Sequence, residues 1–357
     1  MNVKQLLEFM VKQNISDIHL KANSAPLIRL DGSLIASDQP PLTPPLVKEI
    51  AYGLMSEGQA KHFEAEGELD FAYELDKVSR FRVNVYKQKN TLALSLRVIP
   101  LSLKTFEELN LPTSTLKKLC GLPSGLILVA GITGAGKTTT VNAMIHYINE
   151  TSANNIITIE DPIEFFHKDR KSSISQREVG SDTRSFATAL KYILRQDPDI
   201  IVIGEMRDPE AIAAAVTAAE TGHLVLSTIH TMDALQTLQR IVDSYPLSQQ
   251  AQVRTSLSNI LRGVVAQRLV DRADGPGRLP CTEVLIATPY LRQLIADGKF
   301  TELSTTMARS QNEGMMTFDQ DLVRLTREGK ISAETAVADA SRPENLMSML
   351  QGISVKI

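Results

Sequence analysis

The chain has 357 residues, room for about two domains at roughly 150 residues each. Its 43% hydrophobic and 22% charged residues are ordinary for a globular protein and exclude a wholly disordered or fibrous chain. With 38 basic against 41 acidic side chains the net charge is −3, which argues against a strongly basic nucleic-acid-coating protein; two cysteines, Cys120 and Cys281, cannot build a disulfide framework or a four-cysteine zinc site.

The opening residues, MNVKQLLEFMVKQN, lack a signal-peptide core and cleavage site, and no window approaches the ~20 apolar residues of a membrane span. A soluble cytoplasmic protein is expected. Residues 1–100 read as a small α+β unit. Leu6, Leu7, Met10 and Val11 keep helical spacing. A strand is expected around Ile18–Leu20, and Leu27–Leu30 and Ser33–Ile35 flank Asp31-Gly32, a two-residue hairpin signal. Residues 37–46 hold four prolines and read as loop. Period-2 alternation then returns three times, in Leu69/Phe71/Tyr73/Leu75, Phe81/Val83/Val85 and Leu92/Leu94/Leu96/Val98, the pattern of antiparallel strands with one buried face. Arg80, Arg82 and Arg97 lie on the opposite faces, either as a solvated surface or as one that meets an anion or another subunit.

Residues 101–124, with Pro112 and Pro123 and a short helical stretch, read as a linker. From 125 to 285, short apolar runs (Leu126–Ala130, Ile156–Ile159, Ile200–Ile203, Leu224–Leu226) alternate with helical segments, as in a parallel sheet covered on both faces. Residues 286–357 read as mainly helical.

The strongest motif is Gly131-Ile-Thr133-Gly134-Ala135-Gly136-Lys137-Thr138, followed by Thr139, which fits GxxxxGK[ST] between a strand and a helix. Its glycines let backbone N–H groups curl around phosphate; Lys137 would reach the β- and γ-phosphates, and the Thr138 hydroxyl would coordinate Mg²⁺. Hydrolysis of a bound nucleotide also needs a carboxylate to activate water. Two apolar strands end in acids, one at Glu160-Asp161 and one at Gly204-Glu205. In an open parallel sheet such strand ends line the ligand crevice. Gly204 stands where many P-loop enzymes carry the Mg²⁺-linked Asp, so Glu205 is the first choice as base, with Glu160 and Asp161 supporting metal or water. Helix capping is the alternative for any one acid, and Asp208 before Pro209 is assigned to it. His223 and His230 bracket another strand, seven residues and roughly 23 Å apart, too far to share a metal. Either could sense the γ-phosphate or report it to a neighbouring subunit; a satisfied core hydrogen bond is the alternative.

Four boxes stand in order: GITGAGKTTT, ITIEDPIEFFHKD, DPDIIVIGEMRD and TGHLVLSTIHTMDA. Together they resemble the type II/IV secretion ATPase superfamily, and within it the type IV pilus retraction ATPases of the PilT/PilU kind. Ser16–Leu20, Thr288–Ile295 and Gly314–Asp319 extend the resemblance over essentially the whole chain. The resemblance implies a PAS-like N-terminal α+β domain followed by a RecA-like P-loop core and a helical C-terminal region. It implies ATP and Mg²⁺ as cofactors, a homohexameric ring, and phosphate contacts from Arg80, Arg82 or Arg97. By motif, Lys137 and Thr138 match the Walker A pair, Glu160 and Asp161 the Asp box, Glu205 the Walker B glutamate, and His223 and His230 the His box.

The implied activity is ATP-driven pilus retraction through a PilC-like inner-membrane platform protein, with the enzyme peripheral to that membrane and a paralogous retraction ATPase as a further partner. The absence of a tetracysteine insert and a start directly at the PAS-like domain favour retraction over assembly. Tyr290–Ile295 stands where retraction enzymes carry AIRNLI, keeping Arg292, Leu294 and Ile295. A main retraction motor and an accessory paralogue both remain open, as do an assembly or secretion ATPase and, more remotely, a nucleic-acid translocase. The acidic balance speaks against nucleic acid as a partner.

Overall fold

A computed structural model describes residues 3–13, 15–30, 33–75, 78–99 and 103–351. The chain divides into two compact units, Met1–Ser102 with Pro162–Phe166, and Leu103–Asp161 with His167–Ile357.

In the first unit, α1 (Val3–Lys12) buries Leu6, Leu7 and Met10, while Val11 stays exposed. Three strands follow, β1 (Asp17–Lys21), β2 (Leu27–Leu30) and β3 (Ser33–Ala36). Asp31 and Gly32 lie outside the described residues. Residues 37–46 are not all loop: α2 (Pro44–Leu54) starts on the second proline pair. Proline is well suited to the first helical turn, where its missing N–H has no intrahelical partner to lose, and the Thr43 side chain caps the Leu46 amide. After α3 (Glu57–Glu66) come the three alternating strands, β4 (Glu68–Leu75), β5 (Ser79–Gln88) and β6 (Thr91–Ile99). The six strands form one sheet in the order β3-β2-β1-β6-β5-β4, every pair antiparallel. Phe81, Val83, Val85, Leu94 and Leu96 point from one face into a core closed by α1, α2 and α3, as the period-2 pattern requires.

The second unit begins earlier than a linker would allow. Residues of α4 (Thr113–Cys120) and the stretch before it, including Phe106, Leu111, Leu116 and Leu119, are packed into this unit's core. Its seven-stranded sheet contains β7 (Gly125–Ala130), β8 (Asn155–Glu160), β9 (Ser173–Glu178), β10 (Ile200–Ile203), β11 (Leu224–Ile229), β12 (Leu261–Asp271) and β13 (Arg278–Ile286). The order is β13-β12-β7-β11-β10-β8-β9; all neighbours are parallel except β12 and β13. Helices α5 (Lys137–Thr151), α6 (Phe186–Ile193), α7 (Pro209–Glu220), α8 (Ala234–Asp243) and α9 (Leu247–Ile260) connect these strands. β7 is buried along its whole length. Leu126 and Leu128 enter one hydrophobic cluster and Ile127 and Val129 the other, so both faces of the sheet are covered.

The C-terminal region is helical from residue 289: α10 (Pro289–Asp297), α11 (Leu303–Arg309), α12 (Phe318–Arg327), α13 (Ala333–Ala338) and α14 (Pro343–Leu350). It is not an appendage, because Leu291, Phe318, Leu322 and Leu346 belong to the same cluster as Leu126 and Ile201. Among the described residues no helix is long and apolar enough to cross a membrane.

Candidate nucleotide-binding site

β7 is held between β11 and β12 and runs straight into the glycine-rich loop, and α5 starts on its lysine. The three glycines of that loop are required for different reasons. Gly131 (φ 154°) lies so close to β12 that a Cβ would sit 2.5 Å from the Gln267 carbonyl oxygen. At Gly136 (φ 87°) a Cβ would meet the Gln267 side chain at 2.9 Å. Gly134 (φ 80°) faces open space, with nothing within 4 Å of a Cβ. Its constraint is the left-handed backbone that turns the loop.

Gln267, 2% exposed on β12, buttresses the loop. Its Nε2 donates to the Ala135 carbonyl, and its Oε1 accepts from the Thr140 hydroxyl at 2.7 Å. One buried amide therefore joins the loop to the first turn of α5. Its role is not legible in the sequence, where its only signal is an amide directly after the apolar run Val264-Val265-Ala266.

Lys137 is 7% exposed and folded back on its own loop, donating to the carbonyls of Gly131 at 2.9 Å and Ile132 at 3.0 Å. Its Nζ lies 3.5 Å from Nδ1 of His230, whose Nε2 is 3.1 Å from Oε2 of Glu205. An ammonium can only donate, so the His230 Nδ1 facing it carries the lone pair, and Nε2–H donates to Glu205. The other oxygen of Glu205 is taken by Nη2 of Arg207, and Nη1 of Arg207 is 3.8 Å from Asp161. Lys137, His230, Glu205, Arg207 and Asp161 thus form one polar chain from the loop to the ends of β8 and β10. His230 comes from the residue after β11, and Glu205 from two residues after β10.

Glu160, the last residue of β8, is 6% exposed; its Oε1 accepts from Thr158 at 2.7 Å and Gln176 at 3.1 Å. Gly204 lies where the ends of β8 and β10 approach closely. A Cβ there would lie 3.2 Å from the Ile159 carbonyl and 3.4 Å from the Glu160 Cα. Asp208 caps α7 through the Ala211 amide at 2.8 Å, the role expected for it. Thr138 and Thr139 sit half-buried on the first turn of α5, beside Ala135, Gly136 and Lys137, while Thr133 is exposed at the loop tip.

His223 is separated from this group. It precedes β11 at the level of Gly125, whose amide donates to its carbonyl, while the loop begins beyond Ala130, at the level of Ile229. Five strand steps place it roughly 17 Å from the loop. Its Nδ1 lies 3.0 Å from both the Ala218 carbonyl and the Thr221 hydroxyl, so it closes the end of α7. The structure thus places His223 at the end of β11 away from the chain's own phosphate loop, hydrogen-bonded to the end of α7.

The three arginines lie in the first unit, each with a partner there. Arg80 is 7% exposed, with its guanidinium 4.0 Å over the Phe166 ring. Arg82 binds Asp70, with Nη2 2.6 Å from Oδ2, and lies 3.9 Å from Glu164. Arg97 donates to Asp17 at 2.7 Å. Phe166 and Glu164 come from residues 162–166, the five that follow the Glu160-Asp161 box and group with the first unit. The chain then returns at His167, whose Nε2 is 2.7 Å from Oδ1 of Asn142 on α5; Nδ2 of Asn142 donates to the Thr138 carbonyl at 2.8 Å. Burial pushes the His167 pKa down to about 4, so it anchors the Asp-box loop to α5 as a neutral ring.

A Mg²⁺ ion would find hard oxygen donors in the Thr138 hydroxyl on the first turn of α5 and in the carboxylates that follow β8 and β10. Among the described residues no group of three or more His, Cys, Asp or Glu is gathered for a metal.

A buried parallel strand, a GxxxxGK[ST] loop opening a helix, and carboxylates at the ends of adjacent strands define a P-loop nucleotide-binding protein. More narrowly, the chain belongs to the type II/IV secretion system protein family, whose model matches residues 2–282. It is 44% identical over 345 residues to the type IV pilus retraction ATPase PilT of Pseudomonas aeruginosa, covering 97% of this chain and 100% of that protein. It is 41% identical over 372 aligned positions to the type IV pilus ATPase PilU of the same organism, covering 100% of this chain and 97% of that protein. A crystal structure of the pilus retraction motor PilT with bound ADP superposes with a TM-score of 0.89 at 43% identity, covering 98% of this chain and 100% of that one.

Proposed function

We propose that this chain is a Mg²⁺-dependent ATP hydrolase that drives type IV pilus retraction. The observation that carries the proposal is the polar chain Lys137–His230–Glu205–Arg207, which links the lysine of the glycine-rich loop through His230 to the candidate base. Near-complete matching to retraction ATPases supports the choice of fibre system.

The chemistry follows from the side chains. The γ-phosphate competes with the Gly131 and Ile132 carbonyls for Lys137, because a charge-assisted bond to phosphate is stronger than one to a neutral carbonyl. Moving Nζ removes the donor from His230 Nδ1, so His230 and Glu205 respond to the arrival of the terminal phosphate. Glu205 then accepts a proton from the attacking water; the water oxygen bonds to the γ-phosphorus as the bond to the ADP oxygen breaks. Thr138 would hold Mg²⁺, with Asp161 and Glu160 supporting it or the water. The metal, when bound, neutralises charge on the β- and γ-oxygens. Arg207 positions Glu205.

In this reading the first unit is a PAS-like domain and residues 125–285 are a RecA-like core, assembled as a homohexamer in which Arg80, Arg82 or Arg97 reaches phosphate across the ring. Closure on ATP requires contacts that one conformation makes and the other lacks, since a ligand that binds both equally shifts nothing. The motion would act on a PilC-like platform protein at the cytoplasmic face of the inner membrane, with a paralogous ATPase alongside. The test is a deletion strain complemented with either the natural chain or Lys137→Ala. Excess surface pili with Lys137→Ala, and normal numbers with the natural chain, are expected. A bald cell with Lys137→Ala would assign the chain to assembly instead.

A further inference from the structure

A cavity of about 770 Å³ lies wholly within the first unit, between the start of α2, the helix α3 and the turn that joins β5 to β6. Its size falls within the range of small-molecule sites. Lys48, Lys87 and Lys89 line it together with Tyr52, Phe63 and Asn90; among the described residues that line it, none is Asp or Glu. Three lysines thus line one concavity in a chain whose net charge is negative.

Two of the lysines are aimed by aromatic rings. Nζ of Lys48 lies 5.5 Å from the centre of the Tyr52 ring, and Nζ of Lys87 lies 5.6 Å from that of Phe63. The rings attract the cations and limit where the flexible stems can carry them. Phe63 is 1% exposed, so that ring is fixed by the core. The nearby Glu64 carboxylate accepts the Tyr52 hydroxyl at 3.2 Å, and the Glu64 backbone carbonyl is 3.5 Å from Lys87 Nζ.

The third lysine is placed by the backbone. Lys89 (φ 46°) and Asn90 (φ 58°) form a two-residue turn with both residues left-handed. Asparagine and glycine suit such positions, whereas a long side chain at the first of them is uncommon. The turn therefore carries a lysine at a conformational cost, at the mouth of the pocket, where Gly or Asn would fold more easily. The start of α2 adds the positive end of a helix dipole to the same cavity, since Pro44 and Pro45 also line it.

We propose that this pocket binds phosphate groups, independently of the nucleotide loop. Lysines offer point charges to phosphate, and several of them in one concavity match a group that carries more than one negative charge. The phosphate can belong to an anionic lipid headgroup or to a soluble phosphorylated molecule, and the two are separable.

The experiment is a lysine-reactivity footprint on the full chain, in which acetylation rates at single lysines are read by mass spectrometry, with the exposed Lys61 as internal reference. One arm adds pyrophosphate; another adds vesicles containing phosphatidylglycerol; a third adds vesicles of phosphatidylcholine alone. Acetylation of Lys48, Lys87 and Lys89 is expected to slow at least fivefold relative to Lys61 in one or both anionic arms, and to recover in about 0.5 M NaCl, where screening is short-ranged. Protection by vesicles alone assigns a headgroup, and protection by pyrophosphate assigns free phosphate. Unchanged rates in both anionic arms, or equal protection by phosphatidylcholine, overturn the proposal.

Discussion

Replacing Gln267 by Leu keeps the volume of the side chain but removes the amide that ties the phosphate loop to α5. Two buried groups lose their partner, the Ala135 carbonyl and the Thr140 hydroxyl. An unsatisfied buried polar group costs about 1–3 kcal/mol. The Thr140 hydroxyl can recover by turning to a carbonyl in its own helix, so its share falls at the low end. The expected loss is therefore about 2–4 kcal/mol, equivalent to roughly 5–10 °C in the melting temperature of a unit this large. The loop it supports should also bind ADP about tenfold more weakly, since about 1.4 kcal/mol of ordering is shifted onto binding. Thermal melts with and without ADP measure both effects. A double-mutant cycle with Thr140→Val isolates the hydrogen bond, with a coupling of at least about 1 kcal/mol expected. A Gln267→Leu chain that melts within about 1 °C of the parent and binds ADP as tightly would refute the buttress.

Arg207→Ala should lower kcat by about 10- to 100-fold with KM within threefold, because a misplaced base loses rate rather than affinity; Arg207→Lys should recover part of the loss, and steady-state ATP turnover at several substrate concentrations separates the two. His230→Ala should lose at least tenfold in turnover, whereas His223→Ala should leave ADP affinity within threefold; a tenfold weaker ADP titration for His223→Ala would contradict its placement. Glu283 offers a pH test: burial raises its carboxyl to about 7, while its Oε1 accepts the Ala234 amide at 2.9 Å. A folded pKa above the ordinary 4.5 means that the folded chain binds the extra proton, so this contribution is complete below pH 4.5 and is lost as pH rises through 7. Glu283→Gln should therefore melt higher than the parent at pH 8, by roughly 3 kcal/mol of stability, with the difference falling below about 1 kcal/mol near pH 5 and vanishing under pH 4. An equal gain at both pH values would count against titration as the cause.

Much of this architecture follows from local pattern. The alternation at Phe81, Val83 and Val85 is that of β5, and the GxxxxGK[ST] spacing marks the junction of β7 and α5, because both depend on neighbouring residues alone. Long-range packing was hidden. Gln267 acts across more than 130 positions of sequence, and nothing in Val264–Leu269 shows which loop it will meet. β12 begins where α9 ends, so its apolar residues extend a helical stretch without a break signal. Pro44 and Pro45 illustrate a local ambiguity, since two prolines suit a loop and a first helical turn equally well. The arginine face could be read as charged, but its pairing with Asp70 and Asp17 depends on strand register, and Phe166 reaches Arg80 from a segment 86 positions away. His223 and His230 look equivalent in sequence; strand direction alone puts one beside Glu205 and the other at the opposite end of β11.

The most direct test of an ATP hydrolase with Glu205 as its base is a single-turnover measurement on Glu205→Gln with Mg²⁺ and radiolabelled ATP, with nucleotide binding measured on the same sample. ATP bound with the parent's affinity but cleaved at least about 100-fold more slowly is the expected result. Cleavage at the parent's rate would remove Glu205 from the chemistry and, with it, the Lys137–His230–Glu205 connection on which the mechanism stands.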